Sequence, residues 1–267
     1  FDQFKAVADL NFDVAEGEVL GFLGPNGAGK STTMKVITGF LSPSAGAVEI
    51  DGYDIVEDPI KAKALVGYLP EGAPCYEDMS VFEFLSFIAE IRGFRNEEVT
   101  TRVQHVLELV DLQSVRRQSI GTLSKGFKRR VGLAQAIMHD PKVLILDEPT
   151  DGLDPNQKHH VRNLIKNLAK DKIVIISTHI LEEVTAVCTR AIIINDGKIV
   201  ADGTPSELES KSRYHHSVVA TFSKTYNVQD DLFELSDDVT VEQNGSASFT
   251  ILSNSRSPIF TKISEIE

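Results

Sequence analysis

Long apolar runs are missing from this 267-residue chain. Its apolar stretches are short, such as Val143-Leu144-Ile145-Leu146. A bilayer-crossing helix requires roughly 18 consecutive apolar residues, so any membrane role has to come through a partner. Cysteine is nearly absent: Cys75 and Cys188 are the only two. They show neither metal-ligand spacing nor a disulfide framework, which fits packing residues in a reducing cytosol. Bases are in the minority, 27 Lys and Arg against 39 Asp and Glu, for a net charge of −12. That balance argues against nucleic-acid binding, because phosphate contacts need a basic surface. The chain opens at Phe1 without an initiator methionine or an apolar leader and stops at Glu267, and trimmed ends are expected. What is present is a core-forming composition, 42% hydrophobic, in a length that suits one large domain or one domain with a small appendage.

Against that background one segment stands out, Gly24-Pro25-Asn26-Gly27-Ala28-Gly29-Lys30-Ser31-Thr32, directly after the apolar run Val19-Leu20-Gly21-Phe22-Leu23. The pattern G-x-x-x-x-G-K-[ST] is a phosphate loop. Its glycines let the backbone fold around the β- and γ-phosphates of a nucleoside triphosphate with amide hydrogens pointing inward. Lys30 adds a point charge, and Ser31 offers a hydroxyl to the accompanying Mg²⁺. The helix beginning near Gly29 turns its positive end toward the phosphates. A Gly-rich turn between strand and helix would carry some of the same letters, and the loop alone does not separate a kinase from a GTPase or a motor.

Downstream, Lys142-Val143-Leu144-Ile145-Leu146-Asp147-Glu148 reads as a buried strand delivering two carboxylates to its C-terminal end. Ligands of open parallel sheets sit beyond the strand C-termini, so Asp147 is expected beside the phosphate loop, holding Mg²⁺ with Ser31. Glu148 is placed to polarise a water for attack on the γ-phosphate. The competing reading is a pair of acids capping the next turn. Ser124 and the Gly126 amide fall at the start of a helical pattern over 128–138, suited to a phosphate but equally to a plain cap. His179 follows the strand Ile173-Val174-Ile175-Ile176-Ser177, which puts its imidazole at the same sheet edge as Asp147.

In this order and spacing the segments resemble the nucleotide-binding domain of ABC transporters, over roughly residues 1–204. Residues 24–32 resemble the family's Walker A motif, 143–148 its Walker B motif, Leu123-Ser124-Lys125-Gly126-Phe127 its signature, Asp151-Gly152-Leu153-Asp154 its D-loop, and His179 its switch histidine. The resemblance implies an α/β fold: a P-loop NTPase core with an antiparallel β subdomain and a helical subdomain over about 72–140. A small C-terminal α+β appendage over 205–267, expected to be incomplete, would follow. It implies ATP and Mg²⁺ as cofactors. Lys30, Glu148 and His179 would be catalytic. Ser31, Asp147 and Glu71 would ligate the metal. Phe1 would stack on adenine, and Glu71, Ser124, Gly126 and Asp154 would join residues 24–32 around the nucleotide. Two departures are informative. Lys125 and Phe127 replace the third and fifth residues of the usual L-S-G-G-Q, while Ser124 and Gly126 are kept. Glu71, in Gly67-Tyr68-Leu69-Pro70-Glu71, stands where the family carries glutamine, adding a negative charge beside the γ-phosphate. This G-Y-L-P-E form with a charged signature is similar to exporter ATPases linked to drugs, polysaccharides, sodium or gliding components.

The remaining pattern places a strand over 46–50, a turn at 52–54, a helix over 60–65 and a strand over 66–69. From 80 to about 110 the pattern is helical, with Ser80 as N-cap and Glu83 at the capping-box position. A hairpin is expected over 191–201 around Asn195-Asp196-Gly197. Strands are expected at 217–222, around 239–242 and at 248–252, with a final helix from Ser257. The resemblance further implies head-to-tail homodimers that sandwich ATP between one copy's phosphate loop and the other's signature. The dimer would drive a separate integral-membrane permease, with the chain peripheral on the cytoplasmic face, export as the direction and no nucleic-acid partner. A soluble ABC ATPase unconnected with transport is the alternative. The interval from Lys30 to Ser124 is too short for the coiled coil of a chromosome ATPase, and a single cassette does not match the paired cassettes of translation factors. A binding module that has lost hydrolysis is disfavoured by the presence of Lys30, Asp147, Glu148 and His179.

Overall fold

Strand β1 (Val19–Leu23) lies in the middle of a six-stranded sheet, and that position organises everything around it. The computed structural model describes residues 5–211, 218–221, 240–243 and 248–252. In chain order the first unit holds β1, α1 (Lys30–Ile37), β2 (Glu49–Ile50), β3 (Tyr53–Asp54), α2 (Pro59–Ala64), β4 (Val66–Leu69), α3 (Val81–Ile91), α4 (Glu97–Leu109) and α5 (Lys125–Ile137). Then come β5 (Val143–Asp147), α6 (Pro155–Leu168), β6 (Ile173–Thr178), α7 (Leu181–Val187), β7 (Arg190–Asn195) and β8 (Lys198–Gly203). The sheet order is β4-β5-β6-β1-β7-β8, parallel throughout except for the hairpin return of β8 along β7.

Side-chain alternation assigns the two faces of β1. Leu20 and Phe22 join Met34 and Ile37 of α1 and Ile145, Ile175, Ile192 and Ile194 of the neighbouring strands in one buried cluster, on which Phe12 packs edge-on against Phe22 at 5.1 Å. Gly21 faces the other way, toward α7: a Cβ there would lie 2.7 Å from Cys188 Sγ. Cys188 thus fills the space a larger residue on β1 would take, and burial pushes its thiol up to about 12. It is an inert packing group. Strands buried on both faces read as continuous apolar runs, as β5 and β6 do.

Several local features depart from the sequence pattern. The strand expected over 46–50 shortens to β2, and Tyr53–Asp54 is the returning strand β3 rather than a turn. The reversal sits at Asp51 and Gly52, with φ of 50° and 82°, the left-handed pair of a two-residue hairpin loop. The helical stretch from 80 splits into α3 and α4. Gly93 (φ 101°) and Asn96 (φ 53°) between them cannot continue a right-handed helix. α3 does open on the reciprocal Ser80/Glu83 capping box. α5 starts at Lys125, three residues earlier than its apolar pattern, because Ser124 Oγ accepts from Phe127 N at 3.3 Å.

The chain divides into two compact units, 1–205 and 206–267. Helix α8 (Pro205–Ser210) begins where a polar stretch was expected. The expected strands near the C-terminus are β9 (Val218–Thr221), β10 (Thr240–Gln243) and β11 (Ser248–Leu252), an antiparallel sheet in the order β10-β11-β9. Phe1 and the helix expected from Ser257 lie outside the described residues.

Candidate functional site

Strand register brings the site together. Asp147 pairs with Ser177, and Phe22 pairs with the same Ser177, so the ends of β5, β6 and β1 are level, and the phosphate loop leaves β1 one residue later. Gly24 sits against β7: a Cβ there would collide with the Ile194 carbonyl oxygen. Gly29 adopts φ 107°, and a Cβ on it would lie 2.8 Å from Val7. At these two positions the loop requires glycine. Pro25, Asn26 and Gly27 form the exposed tip, Ala28 is buried, and Lys30 opens α1 with Ser31 and Thr32 in its first turn. The Lys30 ammonium, 6% exposed, donates to the carbonyl oxygens of Gly24 (2.6 Å) and Pro25 (3.0 Å). A cation held in the concavity of a loop with a helix N-terminus behind it makes a receptor for polyphosphate.

Asp147 is almost wholly buried, at 1% exposure. Its Oδ1 accepts from Ser177 Oγ and from Ser31 Oγ, the latter at 3.3 Å, tying the two halves of the site together. Its Oδ2 has no hydrogen-bond partner among the described residues. A buried carboxylate oxygen left without a donor, beside a hydroxyl, suits a hard divalent cation such as Mg²⁺, which takes one or two protein oxygens and completes its shell from phosphate and water.

Glu148 leaves the strand in a left-handed conformation, φ 52°, that a non-glycine residue adopts only when its surroundings hold it there. Its N–H donates to both the carbonyl and the hydroxyl of Ser177, each at 3.1 Å. Its carbonyl accepts from Arg129 Nη2 at 2.7 Å. Its carboxylate lies 2.9 Å from His179 Nδ1, a distance at which Nδ1–H donates to Oε1. The Glu148 side chain is mostly buried, whereas half of the His179 side chain is exposed.

Arg129 and Ser177 are contributions that motif spacing did not reveal. Arg129, on α5 and 5% exposed, reaches Pro70 O at 2.8 Å with Nη1, and Asp147 O and Glu148 O with Nη2. One guanidinium therefore fastens the β5 exit to the segment carrying Glu71. Burial pushes its pKa down, opposed by the charges of Asp147, Asp151, Glu148 and Glu71. Glu71, exposed on that segment, is the weakest of the four carboxylate influences on Arg129. Burial, then the Asp147 charge, pushes the neighbouring Tyr68 phenol up to about 12. A sequence-level signal for Arg129 did exist, an arginine two residues after the signature, but the same position on a solvated helix face would look identical.

Ser124 and Gly126 belong to a second constellation. A Cβ on Gly126 would lie 2.6 Å from Gln157 Oε1 and 3.2 Å from Leu153, so α5 begins in contact with residues 152–157. Lys125 Nζ pairs with Asp151 at 2.7 Å, which holds the Asp151 carboxyl below its usual range. Asp154 accepts from Gln157 N at 2.9 Å and caps α6.

A sequence profile described as "ABC transporter" matches residues 7–151, more than half of the chain. The chain belongs to the ABC transporter family. Among members of that family, the transporter ATP-binding protein NatA of Bacillus subtilis is 34% identical over 211 residues, spanning 78% of this chain and 86% of NatA. The linearmycin resistance ATP-binding protein LnrL of the same organism is 38% identical over 206 residues, 77% of this chain and 66% of LnrL. ABC transporter A family member 1 of Dictyostelium discoideum is 35% identical over 80% of this chain, which spans about a quarter (24%) of that relative's length. A solved ATP-binding subunit of an ABC transporter superposes with a TM-score of 0.70 at 32% identity, covering 76% of this chain and 85% of that subunit. The P-loop cassette fold of the family is thus the fold of this chain. No helix among the described residues is long and apolar enough to cross a membrane.

Proposed function

We propose that this chain binds and hydrolyses ATP as the motor subunit of a transporter whose membrane-spanning permease is a separate component. The observation that carries the reading is the level placement of Lys30, Ser31, Asp147, Glu148 and His179 at the ends of three adjacent strands, with Glu148 2.9 Å from His179. In this reading the backbone N–H groups of the loop, Pro25 excepted, and Lys30 grip the β- and γ-phosphates. Ser31 and Asp147 would hold Mg²⁺, which when bound would neutralise charge on the phosphates and polarise the γ-phosphoryl group. Glu148 orients a water and takes its proton, and His179 fixes the Glu148 carboxylate and faces the γ-phosphate. Glu71, on the segment that Arg129 fastens to the β5 exit, positions the water.

Ser124 and Gly126, built into the other constellation, face the nucleotide of a second copy, so that two chains close head to tail over two ATP molecules. A groove of about 340 Å³ between α1 and the helical subdomain, lined by Lys35, Phe40, Tyr68, Pro70, Pro74 and Arg92, offers the permease an apolar seat with cationic edges. Pro70 joins this groove to Arg129 and hence to Glu148. The similarity to a resistance-associated relative supports export.

The test is steady-state ATPase activity of the purified chain and of Glu148→Gln. The substitution should lower kcat by at least about 100-fold while leaving the affinity for ATP within a few fold, the signature of lost general-base catalysis. A Glu148→Gln variant with unaltered turnover refutes the assignment.

A further inference from the structure

Glu183, on the first turn of α7, is a carboxylate buried to 3% exposure that the phosphate-loop chemistry leaves unused. Its Oε1 accepts from Thr150 Oγ1 and its Oε2 from Thr178 Oγ1, the latter at 2.9 Å. Thr178 Oγ1 in turn accepts from Ile180 N at 3.1 Å, turning the chain just after His179. The facing cations are both on α6: Lys158 Nζ lies 3.4 Å from Oε1 and Arg162 Nη2 4.0 Å from it. Arg162 also pairs with the exposed Glu182 at 3.3 Å.

A carboxylate out of water is expensive unless charges and hydrogen bonds compensate it, and a well-packed apolar residue would fill the same volume at lower cost. The location of its two hydroxyl donors gives the arrangement a purpose. Thr178 immediately precedes His179, whose ring holds Glu148. Thr150 immediately precedes Asp151, whose carboxylate holds Lys125 at the head of the signature helix. Between them, the Asp151 N–H donates to Glu148 O at 3.1 Å. One carboxylate thereby joins the histidine loop, the exit of β5 and the loop that meets the signature.

We propose that Glu183 is a positioning residue for ATP hydrolysis, one that fixes the loop of His179 against the loop of residues 150–154 so that Glu148 and His179 stay in register; the proposal rests on the ATPase reading above. The hydrogen bonds and ion pairs of Glu183 run to Thr150, Thr178, Lys158 and Arg162, none of them in the phosphate loop. Its removal leaves the phosphate loop, and hence nucleotide binding, untouched while loosening the pair that carries the chemistry. Because both threonine hydroxyls act through the same carboxylate, they work as one unit.

The experiment compares the purified full chain with Glu183→Gln, the double variant Thr150→Val with Thr178→Val, and all three changes together. It measures kcat and KM for Mg-ATP, affinity for a fluorescent ATP analogue, and Tm. Glu183→Gln and the double threonine variant should each lower kcat about tenfold, with KM and analogue affinity within about twofold, and the triple variant should fall no further than Glu183→Gln. Turnover within twofold of the unaltered chain overturns the proposal. So does a loss of kcat matched by a loss of nucleotide affinity, or losses that multiply in the triple variant. Should Glu183→Gln not fold, the double threonine variant decides by the same kcat and affinity criteria. An unaltered chain without ATPase activity would instead refute the ATPase reading, so the two failures are distinguishable.

Discussion

At the scale of single residues, the side chains of this site divide into those that meet the nucleotide and those that hold them. Lys30 meets it: in the structure its ammonium is satisfied by two loop carbonyls, Gly24 and Pro25. Lys30→Ala removes the only side-chain cation within the loop motif and should weaken ATP binding by at least about tenfold, read by titration with a fluorescent nucleotide or by calorimetry. Normal affinity in that variant would count against the loop assignment. The holding residues were the harder part of the sequence to read. Lys30, Ser31, Asp147, Glu148 and His179 are visible because phosphate chemistry demands those types at fixed offsets from strands. Ser177 reads in sequence only as the residue that ends a β-branched run and leads to His179, and its importance appears only when pairing places it opposite Asp147. Arg129 acts through backbone carbonyls of other segments, which its place two residues after the signature does not reveal, and Glu183 through the hydroxyls of Thr150 and Thr178, which meet it only in the fold.

At the scale of elements, the strongly periodic or well-capped segments were legible and the junctions were not. Ser80 with Glu83 announced α3, and Ile173 to Ser177 announced β6, which runs one residue further to Thr178. The split between α3 and α4 was missed because an apolar pattern runs on across residues that one glycine and one left-handed asparagine interrupt. Junctions also carry chemistry of their own. His139, just after α5, lies 3.1 Å from Val66 O through Nε2, latching the end of that helix to the start of β4. This contact fixes the proton on Nε2 and leaves the buried Nδ1 without a partner among the described residues. Burial and, less strongly, the Arg92 charge push its pKa down to about 4. The folded pKa is below the ordinary value near 6.5, so the unfolded chain binds the proton first. The stabilisation that comes from a neutral His139 is complete above about pH 6.5 and is lost as the pH falls toward 4. His139→Gln, which keeps an amide donor for Val66, should flatten the fall in urea midpoint between pH 7 and pH 5. An unchanged slope would show that this latch does not titrate.

At the scale of the whole molecule, the two constellations predict an assembly. The phosphate loop, Asp147, Glu148 and His179 form one, and Ser124, Gly126, Asp151 and Asp154 form the other, joined through the loop after β5. If each nucleotide is gripped by one constellation from each of two copies, Glu148→Gln should run as a monomer without nucleotide and as a dimer with Mg-ATP. Light scattering on a sizing column reads this directly, and a species that stays monomeric in ATP would remove the sandwich arrangement. The acidic surface implied by a net charge of −12 makes that association sensitive to ionic strength, because like-charged copies repel at low salt.

The sheet order also has a consequence for how the protein is made. β1 ends at Leu23, yet its two neighbours, β6 and β7, end at Thr178 and Asn195. Such long-range parallel pairing is slow to form and leaves apolar strands uncovered while synthesis continues. The phosphate loop therefore cannot acquire its shape until translation has passed Asn195. A nascent chain halted before Arg190 would expose an unpaired edge of β1, a ready template for aggregation and a natural target for chaperones.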